Sequence, residues 1–330
     1  MAELPFLDSF DHYLSADANQ KYTSSLGLSI GAGYGRRGTN GGIVQGGGMF
    51  KTFDVEYGIL YVGAAISGPA STIFTFRNQL SGVNLSLCYL DDGRMVFGAT
   101  DPTGGWFNNI AFTQVAKPFL TGVFHYIEMM ASVSTSGVSG IVRVNEEIVL
   151  QDSAFYAHPE QLTNNPHIAW AQVQFGGRGG GYFSVYDDLY INTGKFYGDI
   201  NIDVIRPNGP STTNWIPTPN VANWLNVRDI TPDGDATTVS SAKVNDVDLY
   251  TMEDIPLAAI VRAIQGIASI KKDTAGLAAV KLQYDGGGGT HYSKEFYPSE
   301  GAYAMLRDGR EDITNPADIN GMLFGQVRTK

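Results

Sequence analysis

Asp54 and Glu56 are the first residues in this chain whose types and spacing could do chemistry. Two positions apart on an extended strand, they share a face at roughly 6.5–7 Å. That falls inside the range of about 5–10 Å that glycoside hydrolysis asks of an acid and its nucleophile or base. The pattern sought would continue with a further acid three positions after Glu56, but Ile59 stands there and no acid follows through Ile66. Asp187 and Asp188 are adjacent, so a regular strand would point them to opposite sides. Gly33-Tyr-Gly-Arg-Arg-Gly38 fits G-x-G-x-x-G, yet a dinucleotide site needs a helix to open at that point, and Thr-Asn-Gly-Gly-Ile-Val follows. His12, His125, His158, His167 and His291 stand apart, without the spacing of a zinc site. The expectation is a protein without an active site.

Binding is the gentler chemistry. Sugars stack on Trp and Tyr faces beside Asn, Asp and Arg side chains that satisfy their hydroxyls. Gly104-Gly-Trp106-Phe-Asn108-Asn109 has that composition and reads as a loop; Asn165-Pro-His-Ile-Ala-Trp170 is a second cluster. Trp106, Asn108, Asn109 and Trp170 are the candidate ligand contacts. Trp215 and Trp224, in or just after a proline-rich stretch, are the candidate interface residues, because aromatics are enriched where subunits meet. No cofactor is expected. Calcium is the one ion such a protein could hold, through Asp91, Asp92, Asp101, Asp187 or Asp188.

The elements that must position these residues are strands. Forty Gly, 17 Tyr and 17 Phe with only 17% charged residues suit short strands and tight turns rather than helices. Period-two alternation runs through Ser71–Arg77 and Val83–Leu90, Asp91-Asp92-Gly93 marks a hairpin turn, and Gly122–Val133 reads as a long strand. Gly140–Asn145, Ala171–Phe175 and Tyr182–Ile191 complete about a dozen strands, an antiparallel sandwich over residues 1–195. A second, smaller β-sandwich is expected over 196–330, with the boundary between Ile191 and Asp203. Asp199–Arg206 reads as its first strand and Asn208–Asn223 as an irregular connection. Ile264–Ile270 and Leu277–Tyr284 read as a hairpin, although Leu257, Ile260, Val261 and Ile264 stand at helical spacing.

Composition excludes several classes. A net charge of −11 weighs against nucleic-acid binding, and the single cysteine, Cys88, rules out an internal disulfide framework. The opening Met-Ala-Glu-Leu-Pro-Phe-Leu-Asp carries acid where a signal peptide needs base, and no run approaches the ~18 apolar residues of a membrane span. A reducing cytosol is the expected place of synthesis.

Asp8-Ser-Phe-Asp-His-Tyr13, Gly122-Val-Phe-His-Tyr-Ile-Glu128, Gly140-Ile-Val-Arg-Val-Asn145 and Tyr186-Asp-Asp-Leu-Tyr-Ile191, in that order, resemble a concanavalin A-like (laminin-G-like) jelly roll. In particular they resemble the version found in tailed-bacteriophage virion proteins. Gly198–Gly209, Asn223–Val227, Lys271–Gly276 and Ile319–Gly325 resemble the domain that follows it there. The resemblance implies a structural virion component, on capsid or tail, that acts by assembly with other virion proteins. It would be made in the host cytoplasm, assembled as a homo-oligomer with a trimer as the guess, and would use neither membrane nor nucleic acid. The alternative is a carbohydrate-binding adhesin on such a particle, and a glycan hydrolase is the third reading. No catalytic residue is carried over.

Overall fold

Alternating apolar and polar residues, punctuated by Gly and Asx turns, make strands almost throughout. The computed structural model describes residues 5–68, 72–78, 82–90, 93–100, 106–112, 122–155, 169–176, 183–286 and 289–330. The chain divides into two units, Leu7–Ile202 and Asp203–Lys330, the latter grouped with Pro5 and Phe6. No helix among the described residues is long and apolar enough to cross a membrane.

In chain order the strands begin with β1 (Phe6–Asp8), β2 (Ser24–Ala32), β3 (Asn40–Tyr57) and β4 (Ile59–Ser67). Then come β5 (Thr72–Arg77), β6 (Asn84–Tyr89), β7 (Met95–Thr100), β8 (Trp106–Phe112) and β9 (Phe124–Val133). The first unit closes with β10 (Gly137–Val144), β11 (Glu147–Phe155), β12 (Trp170–Phe175) and β13 (Phe183–Asn192). Their order is β11-β10-β9-β4-β13-β3-β12-β5-β6-β7-β8, with β1 beside β13 and β2 along β3.

β3 turns this path into two layers. Its first half, Gly42–Gln45, pairs with β13, and its second half, Met49–Thr52, pairs with β12. Between them Gly46 has φ +66°, a conformation that glycine takes without strain and that lets the strand bend from one layer into the other. The layers then face each other closely. A Cβ on Gly140 of β10 would come within 2.6 Å of the Phe97 ring of β7, so only glycine fits there. Tyr186 of β13 donates its hydroxyl to Ile73 O of β5 (3.0 Å). Met49, Phe175, Phe74, Leu87 and Phe97, successive partners across five strands, are all buried between the layers. Burying such side chains is worth about 1.5–3 kcal/mol each. The jelly-roll sandwich expected from the sequence is the fold.

The second unit carries β14 (Pro207–Thr213), β15 (Ile216–Thr218), β16 (Thr238–Ser240), β17 (Val247–Met252) and β18 (Ile264–Ile270). It ends with β19 (Val280–Gly286), β20 (Gly289–Tyr292), β21 (Ala304–Arg310) and β22 (Leu323–Arg328). Five strands order as β14-β17-β22-β19-β20, and β18–β21 forms a separate pair. Leu282, Tyr284, Leu306 and Met322 make the core, with Ile264, Ala268 and Phe324 packed on it, so this too is a small β-sandwich.

Three expectations fail here. Ile264–Ile270 and Val280–Gly286 are strands, but β18 pairs with β21 and β19 with β22 and β20, so they form no hairpin. The stretch read as an irregular connection contains β14 and β15. Pro207 and Pro210 are tolerated because β14 lies at a sheet edge and shifts register beside each of them. Asp199–Arg206 forms no strand; its polar groups go to Asp188, Glu146 and Glu253 instead.

Candidate functional site

One side of the layer β3–β12–β5–β6–β7 is the core; the other is polar. In Gln172-Val-Gln-Phe175 the apolar residues point inward, which turns both amides outward. Register then assembles two rows. Gln174 lies between Phe50 and Thr75, with Ser86 and Gly98 beyond. Gln172 lies between Thr52 and Arg77, and Asn84, Thr100 and Trp106 continue that row in register.

The centre of this face is more deeply buried than its edge. Thr75, Ser86, Gln172 and Gln174 are buried, whereas Phe50, Thr52, Arg77 and Asn84 are half-buried. Gln172 Nε2 donates to Thr52 Oγ1 (2.9 Å), and Thr75 and Ser86 share a hydroxyl hydrogen bond (3.0 Å). The Arg77 guanidinium lies 5.3 Å from the centre of the Phe50 ring. Gln174 Oε1 is buried without a hydrogen-bond partner among the described residues. A buried acceptor left unmade costs about 1–3 kcal/mol. Amides, hydroxyls, a guanidinium and a flat ring are thus brought together on one face, groups able to meet a polyhydroxylated ligand.

Buried carboxylates elsewhere are spent on the fold. Asp8 accepts from the hydroxyls of Tyr13 (2.7 Å) and Tyr22 (2.6 Å) and from Phe10 N (2.8 Å), and lies 3.0 Å from Lys21 Nζ. Burial alone would raise its pKa, but Lys21, His12 and the two tyrosines outweigh that and hold it below the ordinary carboxylate value. Glu128 Oε1 accepts from Tyr190 (2.5 Å) and Gly198 N (2.8 Å), while Oε2 pairs with Arg143 (3.1 Å). Asp248 holds Trp215 N (3.0 Å), Asn223 Nδ2 (2.6 Å) and the Tyr250 hydroxyl (2.8 Å).

Of the residues singled out by sequence, Trp170 is not a ligand contact. Its side chain is 0% exposed, packs on Phe76 and donates Nε1 to Ala131 O of the opposite layer (3.0 Å), so it is a core strut. Trp106, Asn108 and Asn109 lie on β8 rather than in a loop, because that segment pairs with β7; their side-chain placement lies outside the described residues. Trp215 is half-buried and donates Nε1 to Asp246 O (3.2 Å); Trp224 is half-buried under the Arg228 guanidinium. Asp54 is exposed and lies with Glu56 where β3 bulges away from β12, between the pairs Thr52–Gln172 and Tyr57–Trp170. Gly33–Gly38 is the tight link between β2 and β3, not a helix start. The described residues hold no group of three or more His, Cys, Asp or Glu able to hold a metal ion, and Asp91, Asp92 and Asp101 lie outside them.

The polar rows contain no aromatic loop, and alternation alone locates their strands without saying which strands lie side by side. Their signal was present: Gln-Val-Gln beside Phe-Thr-Phe, two strands whose outward positions are polar yet small or amidic.

No protein-family model matches the sequence, and no curated protein matches it. Among solved structures, a prokaryotic β-1,3-1,4-glucanase (lichenase) from a mouse hindgut metagenome is similar at 10% identity and TM-score 0.35, covering 57% of this chain and 99% of its own. A carbohydrate-binding module from Bacillus subtilis is similar at 9% identity and TM-score 0.27, covering 50% of this chain and 88% of its own. A galectin from Caenorhabditis elegans is similar at 12% identity and TM-score 0.29, covering 43% of this chain and 89% of its own.

Proposed function

We propose that this chain is a carbohydrate-binding protein without catalytic activity, whose ligand lies on the polar face of β3–β12–β5–β6–β7. The observation that carries this reading is the pair of polar rows centred on Gln172 and Gln174, with the Arg77 guanidinium over the Phe50 ring at their edge. Such a face offers hydroxyl-matching groups beside a flat apolar surface. The absence of catalysis belongs to the proposal: Asp54 and Glu56 lie on a bulge, and Asp8, Glu128 and Asp248 are held by internal partners. A glycan array followed by calorimetry on the hits tests the binding. Binding that weakens at least tenfold in Gln172→Ala with Gln174→Ala, with an unchanged circular-dichroism spectrum, supports the reading; no hit on the array, or hits indifferent to both substitutions, defeats it.

A second reading, an assembled component of a larger particle such as a phage virion, is favoured by one observation in the second unit. Leu257, Ile260 and Leu277 are 72, 78 and 68% exposed, and apolar side chains this open invite a protein partner. Nothing about them is particular to a virion. Sedimentation at high concentration tests assembly, and mass spectrometry of purified particles tests the setting.

A further inference from the structure

The sheets of the second unit leave several strand edges unpaired, and most of those edges are blunted. β14 carries Pro207 and Pro210 and shifts register beside each. β20, at the far side of the same sheet, has four residues, and β15 and β16 have three each. β21 sets Arg307, Asp308 and Arg310 along its length. Prolines, bulges, short strands and charges are the devices that keep an edge from pairing with another chain.

β18 has none of them. Ile264-Gln-Gly-Ile-Ala-Ser-Ile270 is seven residues long, uncharged and without proline, and its register with β21 runs without a shift. Tyr284 fixes which way its backbone groups turn. That hydroxyl accepts from Gly266 N (3.1 Å) and donates to Asp308 O (2.9 Å), so Gly266 and Asp308 face each other across the ladder. Alternation then turns the N–H and C=O of Gln265, Ile267 and Ser269 to the opposite edge. On that edge β18 pairs with no strand among the described residues.

The residue pattern fits one partner. Read outward from Ile267, β18 is nearly the same in both directions: Gly266 and Ala268, Gln265 and Ser269, Ile264 and Ile270. A second β18, antiparallel about a two-fold axis at Ile267, sets isoleucine against isoleucine, amide against hydroxyl and small residue against small residue. The chain leading into β18 carries Leu257 and Ile260, and the chain leading out carries Leu277; they are 72, 78 and 68% exposed. The antiparallel arrangement brings the lead-in of one copy to the same end as the lead-out of the other.

We propose that the open edge of β18 is a self-association site, at which two copies of this chain pair β18 with β18 into one sheet ordered β21-β18-β18-β21. The contact is isologous and uses up the edge on both copies, so it closes at a dimer instead of growing. This self-association rests on the assembly reading given above and supplies its partner, a second copy of the chain; it is independent of the carbohydrate reading.

Sedimentation of the full chain and disulfide trapping test this. The wild type is expected to form a concentration-dependent dimer. Ile267→Glu gains a cation within its own ladder, because Arg307 lies directly opposite, but meets a like charge across the axis. It is expected to weaken the dimer at least tenfold with an unchanged circular-dichroism spectrum. Ile267→Pro removes an N–H that the ladder with β21 does not use, and carries the same expectation should the glutamate variant fail to fold. In a Cys88→Ser background, Ile267→Cys places two thiols across the axis on Cα atoms about 5.5 Å apart, within disulfide reach, whereas Ser269→Cys lies opposite Gln265. Oxidation is expected to cross-link the first and not the second. A wild type that stays monomeric at high concentration would overturn both this proposal and the assembly reading. An oligomer indifferent to the Ile267 variants, or cross-linking of Ile267→Cys no faster than that of Ser269→Cys, would overturn the β18 pairing and leave the assembly reading standing.

Discussion

Asp8 and Gln174 are both buried polar side chains in the first unit, and their surroundings differ in kind. Asp8 has two hydroxyls, a backbone N–H and an ammonium on its two oxygens. Gln174 has a carbonyl oxygen with no partner among the described residues, on a sheet face turned from the core. Buried polar groups that are completely partnered specify a fold, whereas an unpartnered one asks for an explanation, and the proposed ligand face supplies one. The contrast separates polar clusters that hold the molecule together from the face proposed to meet a ligand.

The strongest way to break the comparison is to empty the Asp8 site. Asp8→Ala leaves the Lys21 ammonium, itself buried, without its carboxylate, and a loss of about 3–5 kcal/mol is expected. Thermal denaturation measures it. A fall in Tm of only a degree or two would show that Asp8 is not the clasp its contacts describe.

A second effect separates two carboxylate sites by sign. Asp187 and Asp188 have folded-state values near 6 and 7, above the unfolded 3.8, so the folded chain binds more protons than the unfolded one between about pH 4 and 7. Their contribution to stability is present at the acid end and lost as pH rises through 6–7. Asp8 is depressed, so its contribution is present above the ordinary carboxylate value and is lost only as pH falls below it. The Tm of the first unit is expected to be several degrees higher at pH 5.5 than at pH 8, with that difference shrinking in Asp188→Asn and persisting if Asp8 alone is disturbed.

Thr75→Ala is smaller and sharpens the comparison from the other side. It breaks the shared hydrogen bond with Ser86, for an expected cost of about 1 kcal/mol by denaturant titration. Gln174→Ala removes a buried acceptor whose missing partner costs about 1–3 kcal/mol, which offsets the packing it loses, so it is expected to be less destabilising than Thr75→Ala. Asp54→Asn with Glu56→Gln is expected to change neither stability nor any release of reducing ends from polysaccharides.

Much of the fold was legible because strands announce themselves by alternation and turns by Gly and Asx. Thr72–Arg77, Asn84–Tyr89 and Met95–Thr100 appear almost where alternation places them. Partner choice was not legible. β18 and β19 are consecutive yet sit in different sheets, because Gly266 of β18 fits beneath Tyr284 and Phe324 when β18 pairs with β21. The proline-bearing β14 was hidden because proline argues against strands, and only an edge position with register shifts admits it. The site was half legible: Gln172 and Gln174 are visible as outward positions, but their alignment with Thr75, Ser86 and Phe50 depends on strands far apart in sequence. Trp170 misled because a tryptophan beside Asn and His reads as a platform, whereas its indole N–H closes on the opposite layer.

The central claim is that the open polar face binds carbohydrate while the closed polar clusters do not. Calorimetric titration of one glycan-array hit into the wild type, Gln172→Ala with Gln174→Ala, and Asp188→Asn decides it. The account predicts at least a tenfold loss of affinity in the double glutamine variant and none in Asp188→Asn. Equal affinity in the wild type and the glutamine variant, with both folded, would contradict it.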